Sequence, residues 1–454
     1  MLFDWRGFLR FSYTTLFKAQ GTPYRWTRKR AAWAVFFYIA FPLLELCTWL
    51  GFLIDDLLYR GYRRQEIREP VFIIGNPRSG TTFLHRLMAQ DMARFSSMQT
   101  WEILFAPSIA QRVILQSLGT LDRLVGHPLY RLLRSLEKRC QEGLVVHRHA
   151  LWETEEDEYL LVHAWSSLVV LLFSAVMDDS GAYVRFDTEV SDDEKQRIMT
   201  FYHRCLQRHM HAHRHDISPE THYLAKSPAT TPKVDTFYQW FPDARFIYLV
   251  RNPADMISSY ISLMALQWRI LAELPTPWAP RDFVLEMARH WYTYPLERLA
   301  QAPPESYIMV RYDDLIHDPE ATVRRIYRHF DLALSPAYAE TLHKMANEAR
   351  SYRSRHRHSL SQWQLTNEQI LAQFGDIQQR FAFGDVDPTM REESLARRRR
   401  RRRWRVAWRE RRRRRGWLAA WRKRRQRRRW RRRPLRRRES WTRPGLLPDM
   451  PNES

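Results

Sequence analysis

The sequence predicts an α/β protein of the P-loop-like, three-layer αβα kind, with helices on both faces of a central parallel sheet. Three observations carry this reading. Val71-Phe-Ile-Ile-Gly75 is a buried-strand run that opens into a Gly-bounded loop and then a helix. Ala244-Arg-Phe-Ile-Tyr-Leu-Val250 is a second such run, and Arg251-Asn-Pro-Ala-Asp255 opens a helix through Ser259. Strands that alternate with helical stretches, each ending in a polar loop, describe a parallel sheet with ligands at the strands' carboxyl ends.

The elements follow in chain order. Residues 31 to 54 form a 24-residue apolar stretch broken only by Pro42 and Glu45, with Arg25, Arg28, Lys29 and Arg30 before it and Arg60, Arg63 and Arg64 after it. Its length suffices to cross a bilayer. A Glu near the middle and a kinking Pro favour an interfacial hairpin, or a helix docked on the domain, as competitors to a span. It is too long and starts too late for a cleaved signal peptide. Beyond the Gly loop the chain reads as mostly helical to about residue 215. A strand-loop unit then begins at Thr221-His-Tyr-Leu-Ala-Lys-Ser-Pro228, and a last short strand, Tyr307-Ile-Met-Val310, leads into Arg311-Tyr-Asp-Asp-Leu315.

Charge divides the chain. The net charge is +24, but residues 397–438 hold 27 Lys+Arg against one Glu, or +26, so the remainder stands at 24 − 26 = −2. The organisation expected is an apolar, possible membrane-associated segment (1–54), a globular domain (55–390) and an Arg/Trp-rich low-complexity tail (391–454), disordered or helical. Trp404 and Trp408, like Trp417 and Trp421, fall at i, i+4. A helical tail would therefore carry an aromatic stripe suited to an anionic membrane surface. Nucleic acid is the less favoured partner, since nothing in the domain resembles a nucleic-acid fold. Three distant cysteines, Cys47, Cys140 and Cys205, argue against a disulfide framework or a zinc ribbon and read as packing residues of a reducing compartment.

The chemistry sits at the strand ends. Gly75 and Gly80 have P-loop spacing, in which backbone N–H groups and a helix N-terminus converge on an anion. The lysine of the nucleotide-triphosphate loop is replaced by Thr81, while a cation, Arg78, lies inside the loop. Arg78, Ser79, Gly80, Thr81 and Thr82 make an anion cradle. Lys226 and Ser227 end another strand, and Arg251 and Ser259 suit a second anion held between a strand end and the first turns of a helix.

These residues resemble the sulfotransferases that use 3′-phosphoadenosine-5′-phosphosulfate (PAPS), in their bacterial form. Pro77-Arg-Ser-Gly-Thr-Thr82 is similar to that family's 5′-phosphosulfate loop, and Arg251-Asn-Pro-x-Asp255-x-x-x-Ser259 to its 3′-phosphate motif. Leu224-Ala-Lys-Ser-Pro228 and Phe241-Pro-Asp-Ala-Arg-Phe246 resemble the stretch between them. His356-Arg-His-Ser-Leu-Ser-Gln-Trp-Gln-Leu365 resembles a C-terminal motif, with Arg357-His358 departing from the pattern. The resemblance implies in-line sulfuryl transfer from PAPS to an acceptor hydroxyl or amine, with no metal expected. Arg78 and Lys226 would stabilise the transition state, with Ser227 a weaker candidate, and Arg251 and Ser259 would hold the 3′-phosphate. Glu102 is the first choice for the base, ahead of His149, Glu153, the block Glu155–Glu158 and His85.

Two rivals stand beside this reading: a P-loop kinase, and a non-catalytic binding protein that delivers its basic tail to lipid or nucleic acid. The acidic block reads as a solvated helix face, and His209, His211, His213 and His215 as surface histidines rather than a metal site. A lipid-like, small-molecule or carbohydrate acceptor is expected. So is a cytoplasmic location, at the cytoplasmic face of a membrane if the apolar segment docks there.

Overall fold

The computed structural model describes residues 2–19, 25–142, 151–173, 181–272, 281–351 and 359–383. Its frame is a five-stranded, all-parallel sheet: β1 (Val71–Gly75), β2 (Phe95–Ser96), β3 (His222–Lys226), β4 (Arg245–Val250) and β5 (Tyr307–Arg311), in spatial order β2-β3-β1-β4-β5. All five residues of β1 are buried, as the apolar run requires of a strand covered on both faces. Strand alternation divides the core in two. Phe72, Ile74, Phe246 and Tyr248 face one side, with the helices Asp192–Ala212 and Arg281–Leu299. Val71, Ile73, Ile247 and Leu249 face the other, with α3 (Thr81–Met88) and the helix Pro319–His329. The three-layer expectation is met. β2, two residues long, had no legible pattern.

β1 lies between β3 and β4, pairing Ile73 with Lys226 and Gly75 with Leu249. The loops after β1, β3 and β4 are therefore neighbours at one end of the sheet, where open parallel sheets place their ligands.

Before the sheet come α1 (Trp5–Phe17) and α2 (Arg28–Leu58), and after β2 come α4 (Thr100–Phe105), α5 (Ile109–Leu124) and α6 (Pro128–Glu142). The apolar stretch is a single helix, α2, which runs through Pro42 and is long and apolar enough to cross a membrane. One face is nonetheless fixed to the domain. Glu45 Oε1 lies 2.7 Å from His163 Nδ1, and Asp55 accepts from the backbone N–H groups of Ile109 and Ala110 at the start of α5 (2.8 and 2.9 Å) and from Arg208 Nε (3.0 Å).

Three expectations are corrected. Cys205 is buried as expected, but Cys47 on α2 is exposed rather than packed. In the acidic block Glu155, Asp157 and Glu158 are buried rather than solvated, because Lys226, Tyr202 with Tyr223, and Lys233 reach them. His209 is buried too, on the inner face of its helix. His149, Arg357-His358 and the tail from 391 lie outside the described residues.

Candidate active site

The loop after β1 is shaped by its glycines. Gly75 has φ +141° and a Cβ there would stand 2.4 Å from the Leu249 carbonyl, so only glycine lets β1 approach β4 this closely. Gly80, at φ +90°, is the N-cap of α3, and a Cβ would meet the Tyr312 ring at 2.9 Å. Between them Arg78 takes a left-handed conformation, φ +66°, a strained choice for a long side chain and one that clusters at ligand-holding sites.

The two anchors expected from sequence touch each other through this loop. Arg78 Nε donates to Ser259 Oγ (3.2 Å), and Arg251 Nη1 donates to the Arg78 carbonyl (2.7 Å). The Arg251 guanidinium lies 4.3 Å from the Tyr312 ring centroid, and the hydroxyl of Tyr292 donates to its carbonyl (2.7 Å). Thr231 clamps the end of β1, accepting from the Gly75 N–H (2.9 Å) and donating to its carbonyl (3.1 Å). Thr81 and Thr82 form the first turn of α3.

Several buried polar atoms around this loop find no partner among the described residues: both terminal atoms of Asn76, Ser79 Oγ and Arg251 Nε. Buried polar groups are ordinarily hydrogen-bonded, and each exception calls for an explanation. Apart from Asn76 Oδ1 these atoms can donate, and beside a helix N-terminus and two guanidinium groups such donors match an anionic ligand, such as the phosphate groups of the PAPS that the sequence resemblance implies.

Lys226, at the end of β3, is fully buried. Its ammonium lies 2.7 Å from Glu156 Oε1 and 3.6 Å from Glu155 Oε1. Ser227 is more a structural cap than was expected: its hydroxyl accepts from the Ala229 N–H (3.1 Å) at the head of the turn Pro228–Lys233. His85 is buried on α3, with Nε2 3.3 Å from Ser97 Oγ. Burial, reinforced by the Lys226 charge, takes its imidazole down to about 3, so it is neutral at physiological pH.

Glu102 belongs to a different group. Its Oε2 accepts from the Gln99 N–H (2.8 Å), while Oε1 lies 3.0 Å from Arg112 Nη1 and 2.9 Å from His213 Nε2. Burial alone would raise this carboxyl. The Arg112 guanidinium outweighs it, with the histidines, and holds Glu102 well below the usual carboxylate range. A carboxylate so depressed, with both oxygens engaged, is a weak proton acceptor. Possible ligand atoms of Glu102, His209 and His213 lie within 4.8 Å of one another, a grouping that alternate spacing on one helix had not suggested. Arg112 Nη1 is 3.0 Å from His209 Nδ1 as well as from Glu102, so a guanidinium supplies the positive charge among them. Arginine only donates, which leaves His209 Nδ1 accepting and Nε2–H donating to Ser96 Oγ (2.8 Å).

The site residues that sequence reasoning missed are Asn76, Thr231, Tyr292 and Tyr312; Glu156 was within the acidic block ranked behind Glu102 as a base. Asn76 lies inside the loop motif and Tyr312 directly follows β5, so both had a positional signal. Thr231 and Tyr292 had none, since tertiary folding alone brings them to the strand ends.

A family model described as the sulfotransferase family matches residues 70–336. The chain belongs to this family. Among curated sulfotransferases it is 24% identical over 336 residues to the omega-hydroxy-beta-dihydromenaquinone-9 sulfotransferases of Mycobacterium bovis and Mycobacterium tuberculosis, covering 70% of this chain and 76% of each relative. Solved sulfotransferase structures share the fold. STF9 of Mycobacterium avium superposes with a TM-score of 0.58 at 17% identity, over 73% of this chain and 81% of that one. STF1 of Mycobacterium tuberculosis gives 0.54 at 23% identity, over 72% and 81%.

Proposed function

We propose that this sulfotransferase takes its sulfuryl group from PAPS and passes it to the hydroxyl of a lipid-like acceptor. The observation that carries the reading is the meeting of Arg78, Arg251 and Ser259 at a loop whose buried Asn76 and Ser79 side chains lack partners among the described residues. Bound there, PAPS supplies an activated sulfuryl group. The loop N–H groups, Ser79 and Arg78 would hold its 5′-phosphosulfate, and Arg251 with Ser259 its 3′-phosphate. As the acceptor oxygen bonds to sulfur and the sulfur–oxygen bond to phosphate breaks, charge grows on the leaving oxygens. Arg78 in the loop, and Lys226 once it leaves Glu156, would offset that charge and lower the barrier.

For the base we favour Glu156 over Glu102. Glu156 sits on Lys226 and its side chain is 25% exposed, whereas Glu102 is sealed and strongly depressed. The acceptor proton would pass to the Glu156 carboxylate once Lys226 turns toward the phosphosulfate. A lipid-like acceptor is supported by the hydroxylated menaquinone named for the mycobacterial relatives.

The test is calorimetric titration with adenosine-3′,5′-bisphosphate, and with ATP plus Mg²⁺, of the wild type and Arg251→Ala. Bisphosphate binding that weakens about 10- to 100-fold in the variant is expected, from the loss of charge-assisted hydrogen bonds. Binding of ATP alone would sink the proposal in favour of a kinase.

A further inference from the structure

We propose that α1, α2 and the α5–α6 hairpin form a docking face for the interfacial region of an anionic lipid bilayer, with α2 lying in the plane of the membrane rather than crossing it. The argument begins with the inversion of α2. Its seven buried residues include Arg30, Glu45, Thr48 and Asp55, whereas every exposed position after Lys29 is apolar. The outward stripe recurs at helical spacing through Phe36, Ile39, Leu43, Leu46, Leu50 and Leu53. A helix with its polar groups inward and its leucines outward is matched to a surrounding that is not water.

The neighbours extend the same face. α1 packs on α2 through Phe8 against Phe41 and Phe11 against Phe37, and turns out Trp5, Leu9, Tyr13 and Phe17 at every fourth position. On the other flank Asp55 holds the first turn of α5, which exposes Ile114, Leu118, Leu121 and Leu124. Aromatic rings beside aliphatic ones are the composition of a bilayer interface.

Charge selects the occupant. Among the described residues of α1, α2, α5 and α6 up to residue 135, together with Lys18 at the end of α1, every exposed charged side chain is basic: Arg6, Arg10, Lys18, Arg28 and Lys29 on one flank, Arg123, Arg131 and Arg134 on the other. Cations rimming an apolar face complement anionic headgroups. A second copy of the chain would bring the same cations against one another.

A crossing helix is disfavoured by the other face of α2. To span, it would have to carry Glu45 and Asp55 away from His163, Arg208 and the α5 N–H groups into hydrocarbon. Docked flat, it keeps all of these bonds. His163 belongs to the turn Asp157–Ala164, which begins one residue after Glu156 beside Lys226. The membrane face and the candidate active site thus share one short element. A lipid-like acceptor could then enter from the bilayer, a consequence that rests on the proposed function, whereas the docking itself does not.

The test uses the full chain with phosphatidylcholine vesicles, with and without phosphatidylglycerol, and the double variant Leu43→Asp/Leu50→Asp, whose positions are 59% and 49% exposed. Sedimentation with phosphatidylglycerol vesicles should fall at least about tenfold in the variant. Cys47, exposed on the apolar face, should react with a water-soluble maleimide in free protein and be protected on vesicles, read by peptide mass. Calorimetry with adenosine-3′,5′-bisphosphate should be unchanged by the variant, so a failed docking face and a failed cofactor site give different results. Undiminished vesicle binding with Cys47 still reactive would assign binding to the Arg-rich tail and overturn the proposal. Protection of Cys47 by protein concentration alone, without lipid, would overturn it in favour of self-association.

Discussion

Two clusters of buried charge flank β3, and they are finished differently. In the first, Glu102, Arg112 and His209 satisfy one another, with Gln99, Ser96, His213 and the Ala106 carbonyl completing the set; Arg112 Nη2 is the one polar atom of these three side chains without a partner among the described residues. In the second, Lys226 is paired with Glu155 and Glu156, but Asn76, Ser79 and Arg251 on the neighbouring loops and His85 on α3 carry atoms with no partner among the described residues. Burial and charge are common to both, so neither marks a site. The difference lies in what is left over: a satisfied network fixes a structure, and unsatisfied donors at a strand end hold something else.

The sharpest way to break this comparison is to remove one carboxylate from each cluster. Glu156→Gln should lower turnover by about 10²- to 10⁴-fold while leaving bisphosphate affinity in place, the loss expected for a general base. The readout is transfer from radiolabelled PAPS to a hydroxylated isoprenoid quinone. Glu102→Gln, once folded, should turn over within a few-fold of wild type. Loss of turnover in the Glu102 variant, with wild-type behaviour at Glu156, would return the base to Glu102. Arg112→Met should next cost stability, about 3–5 kcal/mol, because it leaves Glu102 buried without its cation. Urea unfolding reads this effect, and bisphosphate affinity of the folded fraction should not move.

The smaller test is Ser79→Ala. Its hydroxyl has no partner among the described residues, so unfolding stability should stay within about 0.5 kcal/mol. Bisphosphate affinity should fall up to about tenfold, the worth of one hydrogen bond. A stability loss with unchanged affinity would mean that Ser79 belongs with the closed cluster.

How much of this was legible in the sequence follows the same divide. The loop after β1 and the strand ends Lys226 and Arg251 were readable because their signals are local: an apolar run, a glycine, a cation at fixed spacing. The closed cluster was not, since Glu102, Arg112 and His209 come from three helices and no spacing joins them. Composition also misled at Glu155–Glu158, where consecutive acids look solvated until Lys226 and Lys233 arrive from elsewhere in the chain. α2 was legible as apolar, but the direction its leucines face was not, because hydropathy does not record which side meets the domain.

Asp157 sits between the clusters and offers the finest distinction. Burial pushes its carboxyl up to about 6, against hydrogen bonds from Tyr202 and Tyr223 and with the neighbouring Glu158 charge adding to the rise. A carboxyl raised in the folded state binds protons that the unfolded chain does not. Its contribution is therefore unfavourable above about pH 6 and disappears as the pH falls toward about 4, amounting to at most about 3 kcal/mol. Asp157→Asn should remove that slope: relative to wild type the variant gains stability at neutral pH and loses the advantage in acid, as urea midpoints across this range would record. Parallel pH profiles would show Asp157 ionised without cost, stabilised by its tyrosines as firmly as Glu102 is by Arg112.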